Sequence, residues 1–482
     1  MRSVVVHGHF YQPPRENPWT DEVEPEPTAA PFPDWNARIT HECYEPFGAA
    51  RLLDGAGHIK GRVNLYEWVS FDVGSTLARW LDTHAPEVAR TIVEADRSSA
   101  ARLGGHGNAI AMPYHHIIMP LASRKEKETE VRWGLADFRR RFGRDAEGMW
   151  LPETAVDEES LVVLAEAGVR FTILAPHQVA NPTSHGEPLQ FVAGGSRAIA
   201  LFTYDGGIAS DAAFGRLLDD SRELARRLAP EPSSTSAAEA DGIPRVVSLA
   251  IDGETFGHHR KFGEMALAGA VALMRDEPGV VIENYASVLS RVAPRVDAQL
   301  IEPSSWSCPH GVERWRSGCT CGSDPGASHA WRRPLRAALN WLARELDIRV
   351  DAAAGALAAD FAALREGFGA VVALSPAERR VYAGRGAKEA SATDALVSLL
   401  NGVAARLGMF GSCAWFFDDA AGHETVLMLR LAAYAIALLG DATLEQGFLE
   451  RLALARSNDV VEGDAAQAYR KLVLPLRPPA HA

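Results

Sequence analysis

The sequence predicts an α/β fold: a parallel sheet of about seven strands, closed into an incomplete barrel, followed by an all-α region. Three observations predict it. Short apolar runs alternate with helical stretches through the first 300 residues, as they do when parallel strands are joined by crossover helices. Several of these runs are rich in β-branched residues and almost continuously apolar, as strands buried on both faces are. From about residue 331 the pattern turns helical and alanine-rich.

Taken in order, the candidate strands are 3–10 (SVVVHGHF), 62–67 (RVNLYE), 108–112 (NAIAM), 147–151 (EGMWL), 171–175 (FTILA), 198–204 (AIALFTY) and 246–252 (VVSLAID). Helical patterns lie between them, at 74–103 and 129–143 for example. Polar residues gather just after the strands: His7 and His9, Glu67, His115 and His116, Glu153, Asp205, then Asp252 and Glu254. The active site of a β/α barrel lies at the C-terminal ends of its strands. One strand ending in a polar residue means little; most of the seven doing so is informative. Residues 12–40 are rich in Pro and Glu and read as a long loop over that end. Residues 229–244 (APEPSSTSAAEADGIP) have the composition of a mobile surface linker. The expected organisation is a barrel domain over 1–300, a Cys/His-containing connecting loop over 301–330 and an all-α domain over 331–482.

The chain has 49 Lys and Arg against 62 Asp and Glu, a net −13 with no basic block, which makes nucleic acid and anionic membranes poor partners. The apolar run near the start, Val4 to Val6, is too short for a secretory signal. The most apolar late segment, 426–440, carries Arg430 and reads as a buried helix. A cytoplasmic location is therefore expected. Five cysteines in such a compartment argue against a disulfide framework. Three of them, Cys308, Cys319 and Cys321, join His310 in CPHGVERWRSGCTCG, three thiols and an imidazole, a donor set sufficient for a structural zinc site.

The stretch VVSLAIDGETFGHHRKFGE (246–264) runs a buried strand straight into two carboxylates. Burial and a like-charged neighbour raise a carboxyl pKa, which suits a general acid near neutrality. Glycoside cleavage needs a second carboxylate, and Glu153 in GMWLPETAVDEES is the candidate. Structural readings compete. Asp252 also fits a helix N-cap, Glu153 an acidic helix start, and His7 and His9 a pair of core histidines or metal ligands.

Four motifs in order resemble those of glycoside hydrolase family 57: HGHFYQP (7–13), YHHIIMPL (114–121), MWLPE (149–153) and IDGETFG (251–257). A looser fifth, WSCPHGVERW (306–315), occupies the expected place, and the C-terminal half is similar to that of an uncharacterised branch with a helical domain. The resemblance implies an incomplete (β/α)7 barrel and a retaining enzyme acting on α-glucans or related α-linked oligo- and polysaccharides, with no cofactor needed for catalysis. Glu153 would be the nucleophile and Asp252 the general acid/base. His9, His116 and Gln12 would bind sugar hydroxyls, and Glu254 would hold Asp252 or a hydroxyl. His7, His115, Asp205 and His258 join the sugar-contacting candidates, and His310 does so through the fifth motif. Trp19, Trp35 and Trp150 would offer stacking surfaces. Trp315, Trp415 and Asp418 would line the rim of a cleft. Two other classes remain open: a metal-dependent polysaccharide deacetylase or zinc mannosidase using His7 and His9, and a non-catalytic glycan-binding protein.

Overall fold

The computed structural model describes residues 2–183, 185–193, 197–231, 245–322, 324 and 326–478. Most of the expected linker, 232–244, lies outside the described residues. By backbone contact the chain divides into two units. The first comprises Met1–Gln12, Pro25–Met112 and Phe138–Glu302; the second comprises Pro13–Glu24, Pro113–Asp137 and Pro303–Ala482. The second motif, with His115 and His116, therefore falls in the second unit, as does the front of the 12–40 loop.

The strands are β1 (Arg2–Phe10), β2 (Ala50–Leu53), β3 (Ile59–Val63), β4 (Ser70–Val73), β5 (Phe171–Leu174), β6 (Leu189–Ala193), β7 (Arg197–Thr203), β8 (Arg245–Asp252) and β9 (Val280–Ile282). β1 lies at the centre of the first unit and is buried along almost its whole length, which its Val4-Val5-Val6 run permits. It pairs in parallel with β8 from Arg2 opposite Arg245 to His9 opposite Asp252. β9 pairs with its start and β4 with its end, placing His9 opposite Asp72. Parallel bridges then continue the ring: Phe71 to Ala109, Ala111 to Met149 and Gly148 to Phe171. β5 pairs in parallel with β7. The last step rests on a backbone bond, in which the Asp205 N–H donates to the Ser248 carbonyl of β8 at 2.7 Å, and on a side-chain bond from Ser248 Oγ to the Thr203 carbonyl at 3.3 Å. β6 takes the antiparallel position beside β7. Seven segments thus form a ring whose weakest join lies between β7 and β8.

Four expected elements differ: the strands expected over 108–112 and 147–151 form only the bridges just described, and two others change shape. Residues 62–67 split into the end of the β2–β3 hairpin and a single 3-10 turn, Leu65–Glu67, while the ring strand is the next four residues, Ser70–Val73. The expected helix over 74–103 breaks into Ser75–His84 and Pro86–Arg102, because Pro86 cannot continue the first helix and is well placed to start the second.

From Pro303 onward the described residues of the second unit form helices and loops without an extended strand. The helix Arg332–Leu357 packs on Thr393–Gly408 and Ala442–Leu452, and Thr393–Gly408 packs on His423–Leu439. One of its apolar clusters gathers Trp133, Phe368, Leu396, Leu400 and Leu407, with the Trp133 indole N–H donating to the Arg365 carbonyl at 2.8 Å. Among the described residues no helix is long and apolar enough to cross a membrane.

Candidate active site

Parallel register brings three polar side chains to one level. Asp72, His9 and Asp252 end three adjacent strands, β4, β1 and β8. Asp72 is fully buried and sits between two histidines: its Oδ2 lies 2.8 Å from His9 Nδ1 and its Oδ1 lies 3.2 Å from His7 Nε2. Burial alone would raise the Asp72 carboxyl, but the two imidazoles hold it below its ordinary value. Burial lowers His7. For His9 burial is outweighed by the charges of Asp72, Asp252 and Glu254, which push it up to about 9. His9 is therefore an imidazolium at neutral pH.

Asp252 is enclosed by protein while keeping some accessible surface, as a group that meets a ligand must. Desolvation raises its carboxyl to about 7, opposed by His9 and aided by the charges of Glu254, Glu153 and Asp72. Gly253 turns the chain directly beneath it, and a Cβ there would sit 2.3 Å from the Phe10 ring. Glu254 is buried and also raised by desolvation. It accepts from Tyr44 Oη at 2.5 Å and from the Tyr11 N–H at 3.2 Å. Tyr44 also hydrogen-bonds the Gln12 side chain, so Gln12, Tyr44 and Glu254 form a buried polar chain.

Glu153 is presented differently. It follows Pro152 with φ 57° and ψ 19°, and Thr154 follows with φ 45°. Two consecutive non-glycine residues in the left-handed region cost about 1–2 kcal/mol each. The turn is held by Gln178, whose Oε1 accepts from Thr154 Oγ1 and the Ala175 N–H, both at 2.8 Å, while its Nε2 donates to the Thr154 carbonyl at 2.8 Å. Strain sustained by a buried clamp is typical of a side chain aimed for a purpose.

The structure brings His9, Gln12, Glu153, Asp252 and Glu254 into one part of the first unit. It gives several other candidates different work. His7 is fully buried with both ring nitrogens engaged, by Asp72 and by Ser70 Oγ at 3.1 Å; it holds Asp72 and has no exposed surface of its own. Trp150 is fully buried and stacks on His7 and His9 at 4.8 and 5.3 Å, so it supports the imidazoles and has no open face. Asp205 is exposed and caps the helix Gly206–Ala213, accepting from the Ile208 N–H at 2.9 Å. Trp35 and His258 form a separate cluster with Glu42, whose carboxylate lies 2.5 Å from His258 Nδ1.

His115, His116, Trp19, His310, Trp315, Trp415 and Asp418 belong to the second unit. There Glu130 holds His115, and His116 Nδ1 lies 2.7 Å from Ser412 Oγ. Trp19 meets Tyr434 edge-on. Trp315 and Trp415 are wholly buried, their indole N–H groups donating to the carbonyls of Ser412 and Arg332, so neither offers a rim surface. Asp418 binds His329 Nε2 at 2.9 Å and the Asp324 N–H at 2.8 Å. Cys308, His310, Cys319 and Cys321 do converge.

Sequence reasoning missed Asp72, Tyr44, Tyr204 and Gln178. Asp72 had a signal, since SFDVGS repeats the strand, acid, glycine order of AIDGET. Tyr204, at the end of β7, is raised by burial and by the charge of Asp252. Tyr44 and Gln178 act on partners far away in sequence and carried no local mark.

Residues 79–296 match the model of glycosyl hydrolase family 57, and residues 328–479 match a domain of unknown function (DUF3536). An α-amylase of Pyrococcus horikoshii is 22% identical over 254 residues, 50% of this chain; the chain spans only 37% of that relative's length. Among solved structures, a maltose-forming exo-type amylase from Pyrococcus sp. ST04 shares the fold with a TM-score of 0.72 at 17% identity, over 93% of this chain and 82% of its own. A 4-α-glucanotransferase from Thermococcus litoralis gives 0.55 at 14% identity, over 90% and 59%. An α-amylase from Thermotoga maritima gives 0.53 at 12% identity, over 98% and 100%. Residues 79–296 of this chain are thus similar to glycosyl hydrolase family 57, a match that covers somewhat less than half of its length.

Proposed function

We propose that the protein is a retaining glycoside hydrolase or transglycosylase acting on α-glucan-type, α-linked oligo- or polysaccharides. The observation that carries this reading is Asp252, enclosed at a strand end, titrating near 7 and feeling the charge of Glu153 on its strained turn. Glu153 attacks the anomeric carbon as Asp252 gives its proton to the departing glycosidic oxygen, leaving a glycosyl ester on Glu153. Asp252, now ionised, takes a proton from water or a sugar hydroxyl as that oxygen attacks the same carbon and frees Glu153. His9, as a cation, favours the ionised form that Asp252 adopts between the two steps, while Gln12 and Glu254 present hydrogen-bonding groups to sugar hydroxyls. The names of the similar proteins, two amylases among the solved structures and a glucanotransferase, favour an α-glucan substrate. We assign this chemistry to a barrel domain over 1–300, joined by a connecting loop over 301–330 to the helices of 331–482, and place it in the cytoplasm.

The metal-dependent reading has weaker support. His7 and His9 turn ring nitrogens to a shared Asp72, and among the described residues the donor group suited to a metal is the Cys/His cluster instead. The test is product analysis on maltoheptaose and glycogen for the wild type, Glu153→Gln and Asp252→Asn, each first shown to fold. Longer and shorter oligosaccharides from the wild type alone mean transfer; shorter ones alone mean hydrolysis. Activity that survives both substitutions rejects the assignment, and binding without turnover by the wild type favours a glycan-binding protein.

A further inference from the structure

We propose that Cys308, His310, Cys319 and Cys321 bind one zinc ion, a structural site that fastens the 303–331 loop to the start of the helix Arg332–Leu357. The argument is geometric. A tetrahedral zinc with bonds of about 2.3 Å to sulfur and about 2.0–2.1 Å to nitrogen needs S···S edges of about 3.8 Å and S···N edges of about 3.5 Å. Cys308 Sγ lies 3.7 Å from Cys319 Sγ and 3.9 Å from Cys321 Sγ, and Cys321 Sγ lies 3.4 Å from His310 Nδ1. All four donor atoms fall within 4.8 Å of one another. Three thiols and an imidazole from two arms of one loop are thus gathered around a common centre, with these three edges matching those of a coordination tetrahedron.

The backbone is shaped to deliver these ligands. Cys308 and His310 sit on one tight turn, closed by the Gly311 N–H donating to the Cys308 carbonyl at 3.1 Å. Gly311 has φ +77°, and a Cβ there would lie 2.5 Å from the Pro303 carbonyl oxygen, so the turn needs glycine. Gly318, at φ +95°, opens the second arm just before Cys319. The charge also balances. Three thiolates and a divalent ion leave a net −1, and the wholly buried Arg332 stands against it. Its Nη1 donates to the Cys321 carbonyl at 2.7 Å and the Cys319 carbonyl at 3.4 Å, and lies 3.9 Å from Cys319 Sγ. Outer partners of this kind orient thiolate ligands and offset their charge.

Four protein ligands close the coordination sphere, so the ion has no position left for substrate and serves the fold. Its effect reaches the neighbouring loop, because Arg332 Nη2 donates to the Phe417 carbonyl at 3.2 Å and Arg314 links the Ser307 and Phe416 carbonyls. The inference stands apart from the glycosidase reading.

The experiment is metal analysis by inductively coupled plasma mass spectrometry on the full-length protein, purified without chelator or metal-affinity resin. The expected result is about one zinc per chain. The double variant Cys319→Ser/Cys321→Ser should lose at least about 90% of it, while His310→Cys, which supplies a set of four thiolates, should retain it. Should the double variant not fold, the wild type decides: exchange into cobalt(II) should give the d–d bands of a tetrahedral site together with thiolate charge-transfer absorption. Wild type that holds no zinc as purified and takes up none on addition, an octahedral cobalt spectrum, iron in place of zinc, or full zinc content in a folded double variant would each overturn the proposal.

Discussion

Two neighbouring strands of the ring end in nearly the same way. β7 runs into Tyr204-Asp205-Gly206 and β8 into Ile251-Asp252-Gly253. Asp205 is exposed and caps a helix through the Ile208 N–H. Asp252 heads a short 3-10 turn whose backbone closes on itself, the Phe256 N–H donating to the Gly253 carbonyl, and its side chain makes no capping bond. What separates the two is where the carboxylate's hydrogen bonds go. Backbone donors satisfy the first and make it structural. The second is denied them and surrounded by His9, Glu153 and Glu254, so it is held at a raised pKa. A raised pKa maintained by fold geometry is the property of a working acid.

The largest test of this contrast exchanges one atom at each site. Asp252→Asn should lower kcat by roughly 10²–10⁴-fold on an α-glucan, the usual contribution of a general acid. Asp205→Asn should leave kcat within about twofold, because Asn caps as well as Asp, and Asp205→Ala should cost about 1 kcal/mol of stability in a denaturant melt. Equal losses of kcat at the two positions would erase the distinction.

A pH profile sharpens it. As the proposed general acid, Asp252 can give a proton only while it holds one, so kcat/KM should fall as pH rises through about 7. Glu254→Gln removes a like charge and should move this midpoint to lower pH. His9→Gln removes a cation and should move it to higher pH, whatever it does to the maximum rate. Midpoints that move together, or not at all, would show that another group governs the limb.

Stability carries the same signature. Between 3.8 and about 7 the folded state keeps a proton on Asp252 that the unfolded chain has lost, so folding is penalised increasingly as pH rises through that window. The full penalty above neutrality is on the order of 4 kcal/mol. His9 works in a later window: its stabilising charge is complete below 6.5 and is lost as pH rises through about 9. Thermal melts of Asp252→Asn and the wild type should therefore nearly coincide at pH 4, while the variant melts higher at pH 8.

Much of this was legible in the sequence because buried parallel strands are continuous apolar runs. VVSLAID and SVVVHGHF announce themselves, and the acids and histidines after them follow. Asp72 was lost because SFDV is four residues long and lies behind RVNLYE, whose alternating pattern is the stronger strand signal but forms a hairpin arm and a turn. Composition cannot distinguish a tryptophan with an open face from one spent on packing, which is why Trp150, Trp315 and Trp415 changed role. The Tyr44–Glu254 bond spans 210 residues, and no local pattern encodes it. The residues proposed to perform chemistry leave marks just after apolar runs, whereas the residues that hold them in place are chosen by the fold.

Backbone strain at Glu153 gives the smallest effect and the sharpest sign. At an ordinary position Gly is less stable than Ala by about 0.5–1 kcal/mol, since it surrenders more chain entropy on folding. At φ 57° that order should invert, with Glu153→Gly more stable than Glu153→Ala by about 1 kcal/mol in urea, both variants being inactive. Gln178→Ala supplies the complement. Losing a clamp that makes three 2.8 Å bonds should lower kcat roughly 10- to 100-fold with little change in KM, because the turn relaxes and Glu153 moves off line while Gln12 and Glu254, the groups proposed to meet sugar hydroxyls, stay put. If Ala were the more stable at 153 and Gln178→Ala kept full activity, the strained turn would be incidental, and the difference between a placed carboxylate and a merely structural one would rest on Asp252 alone.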